Sequence, residues 1–197
     1  MRLWSILLAA GRGERIGGPK ALLTVGGESF VARSARLLAR PGIERVVAVI
    51  GHQADRVARE ANLPPGVPMV VNARYGEGML TSIQAGLEAA EAAGAEGVLI
   101  HPVDHPLVDV AAADRVIAAL QGGATIAVPS HDGRRGHPAG FARAAWPALR
   151  AAPPDRGARA VLADHPDWIV HVKGGADCLQ GVNTPEDYRR LLERLGG

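Results

Sequence analysis

The sequence predicts an α/β fold with a mostly parallel, Rossmann-like sheet and helices on both faces. Short apolar runs bounded by turn residues alternate with longer segments whose apolar residues recur at helical spacing. The chain has 197 residues, 47% of them hydrophobic, which is sufficient for one sizeable core. Since neither an internal repeat nor an interdomain linker is evident, we expect residues 1–197 to form a single domain.

Apolar runs and amphipathic segments give the elements in chain order. The candidate strands are residues 4–9, 45–50, 68–71, 97–101, 125–129 and 168–172. A helix is predicted through residues 80–90, where apolar side chains share one face and Gly94 follows, and another is predicted before Gly122. The last helix is predicted to begin at Thr184, whose hydroxyl can cap the first turn, with Pro185 next.

Charge and cysteine content exclude several classes of function. The net charge is only +2, and the basic residues are scattered, so no nucleic-acid partner is expected. The apolar N-terminal run ends at Gly11 and is too short to cross a bilayer, so we expect no membrane partner. Cys178 is the single cysteine, which rules out an internal disulfide framework and is typical of a cytoplasmic protein.

A glycine-rich segment follows the first candidate strand and ends at one of only two lysines. Residues 11–20 combine four glycines with three cations. Backbone amides can approach an anion where side chains are absent, and Arg15 and Lys20 can neutralise a polyphosphate, so phosphate binding is indicated. If only the glycines are considered, the segment could instead be an ordinary flexible turn with solvated arginines. A Walker A loop is disfavoured because Ala21 follows Lys20, and a dinucleotide fingerprint because Ile16 occupies a glycine position.

Residues 8–23 resemble the signature loop of MobA-like nucleotidyltransferases, above all the molybdenum cofactor cytidylyltransferases, with the pattern L-A-A-G-x-S-x-R-M-G-x-x-K-L-L. The resemblance implies that Arg15 and Lys20 bind the triphosphate and that the preceding residues wrap the nucleotide. Those residues are Leu8, Ala9, Ala10, Gly11, Arg12 and Gly13. Ala10 is similar to the cytidine-using branch, whereas guanosine-using relatives tend to have glycine there, so CTP is the favoured nucleotide.

Three further blocks are collinear with the same family. Residues 72–82 resemble its N-x-x-W-x-x-G-M-x-x-S block, which implies that Asn72, Gly78 and Ser82 contact the nucleotide. Thr81 or Ser82 could instead cap a helix. Residues 101–106 are similar to the D-x-P block, which implies that Asp104 binds Mg²⁺, although it could only cap a turn. In the closing D-x-D-T-P-E-D block, Asn183 stands where many cytidine-using members have a second metal-binding aspartate; guanosine-using members often have asparagine.

The acceptor side is indicated by two other segments. Residues 134–138 resemble the family's G-H-P block, which implies that Arg135 and His137 contact the acceptor; solvated loop arginines are the alternative. Residues 155–159 look like its D-x-G-A-R segment, whose role stays open and which could be a helix start. His101 and His105 suggest zinc, but no third nitrogen or sulfur ligand lies near them in the sequence.

The resemblance implies a magnesium-dependent nucleotidyltransferase. A small phosphorylated acceptor, molybdopterin first, would attack the α-phosphorus of CTP in line, and pyrophosphate would leave. Arg15, Lys20 and a magnesium ion held by Asp104 would stabilise the charge that develops. The alternatives are another nucleotide or acceptor, such as a sugar phosphate or phospholactate, and a non-catalytic nucleotide-binding module. The oligomeric state is not indicated by the sequence.

Overall fold

Strands and helices alternate along most of the chain in the computed structural model, which describes residues 1–153 and 156–196. The strands are β1 Leu3–Ala9, β2 Thr24–Val25, β3 Glu28–Ser29, β4 Ile43–Ile50, β5 Met69–Val71, β6 Gly97–Pro102, β7 Ile126–His131, β8 Arg134–Arg135, β9 Ala139–Ala142 and β10 Ile169–Lys173. The α-helices are α1 Phe30–Leu38, α2 Ala54–Glu60, α3 Met79–Ala92, α4 Val110–Gln121, α5 Trp146–Ala151, α6 Ala158–Asp164 and α7 Pro185–Leu195.

Eight of the strands form one sheet in the order β10-β7-β9-β6-β1-β4-β5, with β8 paired to β7. The neighbours β6, β1, β4 and β5 run parallel, and so do β7 and β10. In contrast, β9 runs antiparallel between β6 and β7. The six predicted strands are confirmed, and the predicted mostly parallel sheet is correct.

The centre of the sheet is buried on both faces. In β1, Ile6 and Leu8 pack into a core under α3 and α5, whereas Leu7 and Ala9 pack on the other side under α1 and α7. All seven β1 residues are buried, as expected for a central parallel strand that reads as a continuous apolar run. The helices therefore cover both faces, as predicted. No helix among the described residues is long and apolar enough to cross a membrane.

The last helix begins as the sequence predicts. The Thr184 hydroxyl accepts a hydrogen bond from the Asp187 backbone N–H, and the Asp187 carboxylate accepts from the Thr184 backbone N–H. This reciprocal pair is a capping box, and it fixes the point at which the chain enters α7. It also fixes the residue immediately before the cap, Asn183, whose backbone N–H donates to the same Asp187 carboxylate at 3.0 Å.

Candidate active site

A cavity of about 540 Å³ opens at the carboxyl edge of the parallel strands, where ligands of open α/β sheets bind. Its lining includes every loop residue that the sequence analysis assigned to the nucleotide, from Leu8 through Gly13, together with Arg15. Lys20, Gly78, Ser82, Asp104 and Asn183 also line it. Residues from four separate segments of the chain therefore meet around one space.

The glycine-rich loop owes its shape to backbone hydrogen bonds. The Gly13 carbonyl accepts from the N–H of Ile16 at 3.0 Å and of Gly18 at 3.2 Å, closing the loop on itself. Gly13 has φ 63°, and a Cβ there would collide with the Gly18 carbonyl, so the position requires glycine. Two short 3₁₀ turns, Glu14–Ile16 and Lys20–Leu22, follow. The first α-helix begins at Phe30, so the loop does not lead into a helix as a Walker A loop does.

Lys20 joins two other loops of the cavity. Its Nζ donates to Asp104 Oδ2 at 3.0 Å and to Asn183 Oδ1 at 2.7 Å. The Asp104 carbonyl accepts from the Val182 N–H at 2.7 Å, so the loops that carry the two oxygens are also bound to each other. The side chains of Lys20 and Asp104 are 15% and 23% exposed. Lys20 and Asp104 therefore share one cleft.

The two oxygens beside Lys20 fit a divalent cation. Asp104 offers a carboxylate and Asn183 an amide oxygen, and both are the hard donors that Mg²⁺ and Mn²⁺ prefer. A small hard cation commonly takes only one or two protein ligands and completes its shell with water and substrate phosphates. The oxygens of Asp104 and Asn183, which line the first cavity, are therefore suitable ligands for such an ion.

Asn72 lies behind the cavity wall rather than in it. Its Nδ2 donates to the hydroxyl oxygens of Thr81 at 2.9 Å and Ser82 at 3.0 Å, and its Oδ1 accepts from the Arg74 N–H at 2.9 Å. Asn72 is 5% exposed, so it holds the start of α3 in place. The cap of α3 is Gly78, and Ser82 lies one turn inside the helix, which makes the capping alternative for Ser82 wrong.

A second cavity, of about 810 Å³, adjoins the first. Asp104 and Asn183 line both, as do Leu8, Gly78, Met79 and Pro102. The remaining wall of the second cavity includes His105, His137, Arg156 and Arg159. The possible metal ligands therefore stand at the junction of two spaces, each large enough for a small molecule.

The two predicted acceptor residues differ in placement. His137 lines the second cavity, whereas the exposed Arg135 lies in β8 and donates to the Leu162 carbonyl at 3.2 Å. Arg135 is absent from the described lining of both cavities. Arg159, from the segment whose role was left open, does line the second cavity, and α6 begins one residue earlier at Ala158, as its helix-start alternative suggested. Asp155 of that segment lies outside the described residues.

Three histidines gather beside the second cavity. The ring centroids of His105 and His137 are 4.7 Å apart, and His101 lies 6.2 and 6.3 Å from them. Burial lowers the pKa of His101 and of His137 to about 3 and also lowers the pKa of His105. These rings are therefore neutral near pH 7. The third nitrogen ligand missing from the sequence argument is thus present, but no group of three metal-binding side chains within residues 1–153 and 156–196 is arranged to hold an ion.

Tyr75 and Met79 are cavity residues that the sequence argument left without a role. Both line the first cavity, and the Arg12 guanidinium lies 6.0 Å from the centre of the Tyr75 ring. Met79 is 59% exposed and lines both cavities. The signal for Tyr75 was available, since it occupies the aromatic position of the family's N-x-x-W block.

The fold and this edge of the sheet define a nucleotide-binding α/β transferase. Residues 5–168 match the family described as the MobA-like NTP transferase domain, so the chain belongs to this family of nucleotidyltransferases. The predicted family is confirmed.

Individual relatives carry different activities. The chain is 36% identical over 197 residues to nicotine blue oxidoreductase of Paenarthrobacter nicotinovorans, with 95% of each chain covered. It is also 36% identical over 146 residues to molybdenum cofactor guanylyltransferase of Cereibacter sphaeroides, with 71% of this chain and 67% of the relative covered. This relative is named as a guanylyltransferase, so it does not support the CTP preference that Ala10 suggested.

Solved structures include a similar protein with a bound metal. Rv0371c from Mycobacterium tuberculosis H37Rv superposes with a TM-score of 0.83 at 28% identity, with 98% of each chain covered. A complex of Rv0371c with manganese superposes with a TM-score of 0.78 at 25% identity, covering 98% of this chain and 99% of the other. A divalent cation is thus associated with this fold in a related protein.

Proposed function

We propose that residues 1–197 form one nucleotidyltransferase domain that transfers a nucleoside monophosphate from a nucleoside triphosphate to a phosphorylated acceptor. The observation that carries the proposal is the junction of the two cavities at Asp104 and Asn183, beside Lys20. One space suits the triphosphate and the other suits the acceptor. A binding module would need only the first.

The proposed reaction is an in-line displacement. An ionised phosphate oxygen of the acceptor forms a bond to the α-phosphorus, the bond from that phosphorus to the bridging oxygen breaks, and pyrophosphate leaves with the electron pair. No general base is required, because the attacking oxygen carries no proton. Arg15, Lys20 and the loop amides hold the triphosphate and neutralise the leaving group. A divalent cation on Asp104 and Asn183, Mg²⁺ being the expected ion, would add positive charge at the same phosphates.

The identity of the base rests on opposing signals. Ala10 favours CTP, whereas Asn183 and the guanylyltransferase relative favour GTP. We propose CTP, with molybdopterin as the acceptor, and the assay compares both nucleotides. Thermal shifts with CTP, GTP, UTP, ATP and TTP give a first ranking, because a ligand at about 100 times its dissociation constant stabilises a protein by about 2.7 kcal/mol.

The decisive experiment measures pyrophosphate release from each nucleotide with molybdopterin and Mg²⁺ or Mn²⁺. Lys20→Met and Asp104→Asn keep the approximate size of the side chains and are expected to lower the rate by about a hundredfold or more. Lys173→Met removes the other lysine, which lies on β10, and is the matched control with an expected wild-type rate. Near-normal release from both site variants would falsify the proposal.

A second candidate is an oxidoreductase activity, because nicotine blue oxidoreductase is similar over 95% of this chain. Such an activity requires a redox cofactor such as NAD(P)H. A thermal shift with NADH or NADPH, without a shift from any nucleoside triphosphate, would favour this candidate. The Lys20 and Asp104 pair favours transfer, since an ammonium group and a carboxylate that can hold a divalent cation are suited to neutralising a pyrophosphate leaving group.

A further inference from the structure

The second cavity has one charged wall and one apolar wall. Arg156 and Arg159 lie on the α6 side, and Ile83, Ile100 and Phe141 are among the apolar residues that complete the lining. The family resemblance implies acceptor contacts at Arg135 and His137, and of these only His137 belongs to this lining. The cationic side chains available to a molecule in the second cavity are therefore Arg156 and Arg159, not Arg135.

The acidic side chains of this cavity are already paired. Asp104 is bound by Lys20, and Glu77 accepts from the Arg74 guanidinium at 2.7 Å. Neither carboxylate is thus free to neutralise a guanidinium across the cavity. Among the lining residues that the structure describes, the arginines are the charges with no partner of opposite sign closer than 3.7 Å.

Within residues 1–153 and 156–196, little negative charge compensates Arg156 and Arg159. Arg156 reaches an Asp164 oxygen only at 3.7 Å, with both side chains more than half exposed, and such pairs contribute little. Arg159 has no ion-pair partner within 4.0 Å among the residues that the structure describes. Arg159 and His137 line the same cavity, which Asp104 also lines.

We propose that Arg156 and Arg159 form the anion-binding site of the second cavity and that its ligand is a phosphomonoester attached to a ring or another apolar group. Planar guanidinium groups bind phosphate oxygens in pairs, and the apolar wall covers the remainder of the molecule. The imidazoles of His105 and His137 line the same cavity and add hydrogen-bonding capacity. This inference rests on the proposed function, in which the ligand is the acceptor, and it moves the anion contact from Arg135 to the α6 segment.

Phenyl phosphate is the probe, because it carries one phosphomonoester and one aromatic ring. Isothermal titration calorimetry measures its binding to the wild-type protein and to Arg156→Gln and Arg159→Gln. Each variant is expected to weaken binding about tenfold, as the loss of one charge-assisted contact predicts. Benzyl alcohol, which has the ring without the anion, is expected to bind much more weakly than phenyl phosphate.

Two matched variants separate this site from other arginines. Arg189→Gln removes an exposed arginine whose carboxylate partner is also 3.7 Å away, so it reproduces the loss of charge and of a weak pair outside the cavity. Arg15→Gln alters the first cavity. The Arg189→Gln variant is expected to bind phenyl phosphate like the wild-type protein, whereas Arg15→Gln reports whether any phenyl phosphate binds in the first cavity. Melting curves of all variants establish that they are folded.

Several results would overturn the inference. Wild-type affinity in both Arg156→Gln and Arg159→Gln, or no binding of phenyl phosphate to the wild-type protein, contradicts the assignment. Loss of binding in Arg15→Gln or Arg135→Gln instead places the phosphate in the first cavity or on β8. If binding depends on Arg159 but no nucleotide yields pyrophosphate, the anion site stands and the proposed transfer reaction fails. The two proposals can therefore be rejected separately.

Discussion

Replacing Lys20 by methionine is expected to destabilise the ligand-free protein and at the same time to strengthen its binding of Mn²⁺. The Lys20 ammonium donates to Asp104 Oδ2 and Asn183 Oδ1, the two oxygens proposed as metal ligands. An ammonium group and a divalent cation compete for the same lone pairs. A triphosphate that attracts the ammonium would release those oxygens, so nucleotide and metal are expected to favour each other's binding.

The magnitude follows from burial and from the two hydrogen bonds. With side-chain exposures of 15% and 23%, the Lys20 and Asp104 pair is shielded from most of the solvent. Methionine retains the apolar stem but leaves the carboxylate without its cation, which costs about 2–3 kcal/mol. For a chain of this size the melting temperature should fall by about 4–10 °C. Removing a competitor worth about 2 kcal/mol should raise Mn²⁺ affinity by roughly thirtyfold.

Electron paramagnetic resonance of free Mn²⁺ measures this affinity directly, without nucleotide and without turnover. Wild-type protein, Lys20→Met and Lys20→Gln are titrated in parallel, with Lys173→Met as the control for removing a lysine elsewhere. Differential scanning calorimetry gives the melting temperatures. Unchanged Mn²⁺ affinity in both Lys20 variants would show that the ammonium does not compete with the metal, and an unchanged melting temperature would contradict the estimated ion-pair contribution.

Three further predictions concern stability. Thr184→Ala removes the cap of α7 and should cost about 1 kcal/mol in urea unfolding, while a comparable exposed substitution in the middle of that helix should cost less. Gly86→Ala places a Cβ against Ile6 and should destabilise by about 1–3 kcal/mol in spite of alanine's higher helix propensity; a higher melting temperature would contradict the packing. Because burial lowers the pKa of His101 and His137 to about 3, the unfolded chain binds more protons below about pH 6.5, and stability should fall as the pH drops from 6.5 towards 4. Unfolding free energies at pH 7, 6 and 5 test this, and substituting both histidines by asparagine should flatten the decline.

Most of the sheet was predictable because its central strands are long apolar runs that are buried on both faces. Two strands of the sheet were missed. The first, β8, consists of two exposed arginines, and the second, β9, contains Ala139, Gly140 and Ala142, which carry too little side chain to give a strand signal. A small residue is required there, because a Cβ at Gly140 would meet Val116 and Leu120 of α4. The same close packing that places β9 in the sheet therefore removes its hydrophobic pattern from the sequence.

The meeting of Lys20 and Asp104 was predictable from one rule, since the carboxyl ends of parallel strands share an edge. The place of Asn183 was not predictable from that rule, because it follows a non-strand segment after β10 and is set by the capping box of α7. Only the family resemblance pointed to it. The same resemblance pointed to Arg135, where local sequence similarity carried no information about which way the β8 segment faces.

The second cavity is a consequence of the antiparallel strand. In the register of β6 and β9, Ile100 lies opposite Ala139 and Leu99 opposite Gly140. Continuing this register by two residues places His137 across from Pro102, two positions before Asp104. In a purely parallel sheet the next strand would begin at the opposite edge after a long crossover, whereas the antiparallel β9 begins at this edge. The parallel strands thus account for the first cavity, and the short antiparallel insertion supplies the wall on which a second substrate can lie beside it.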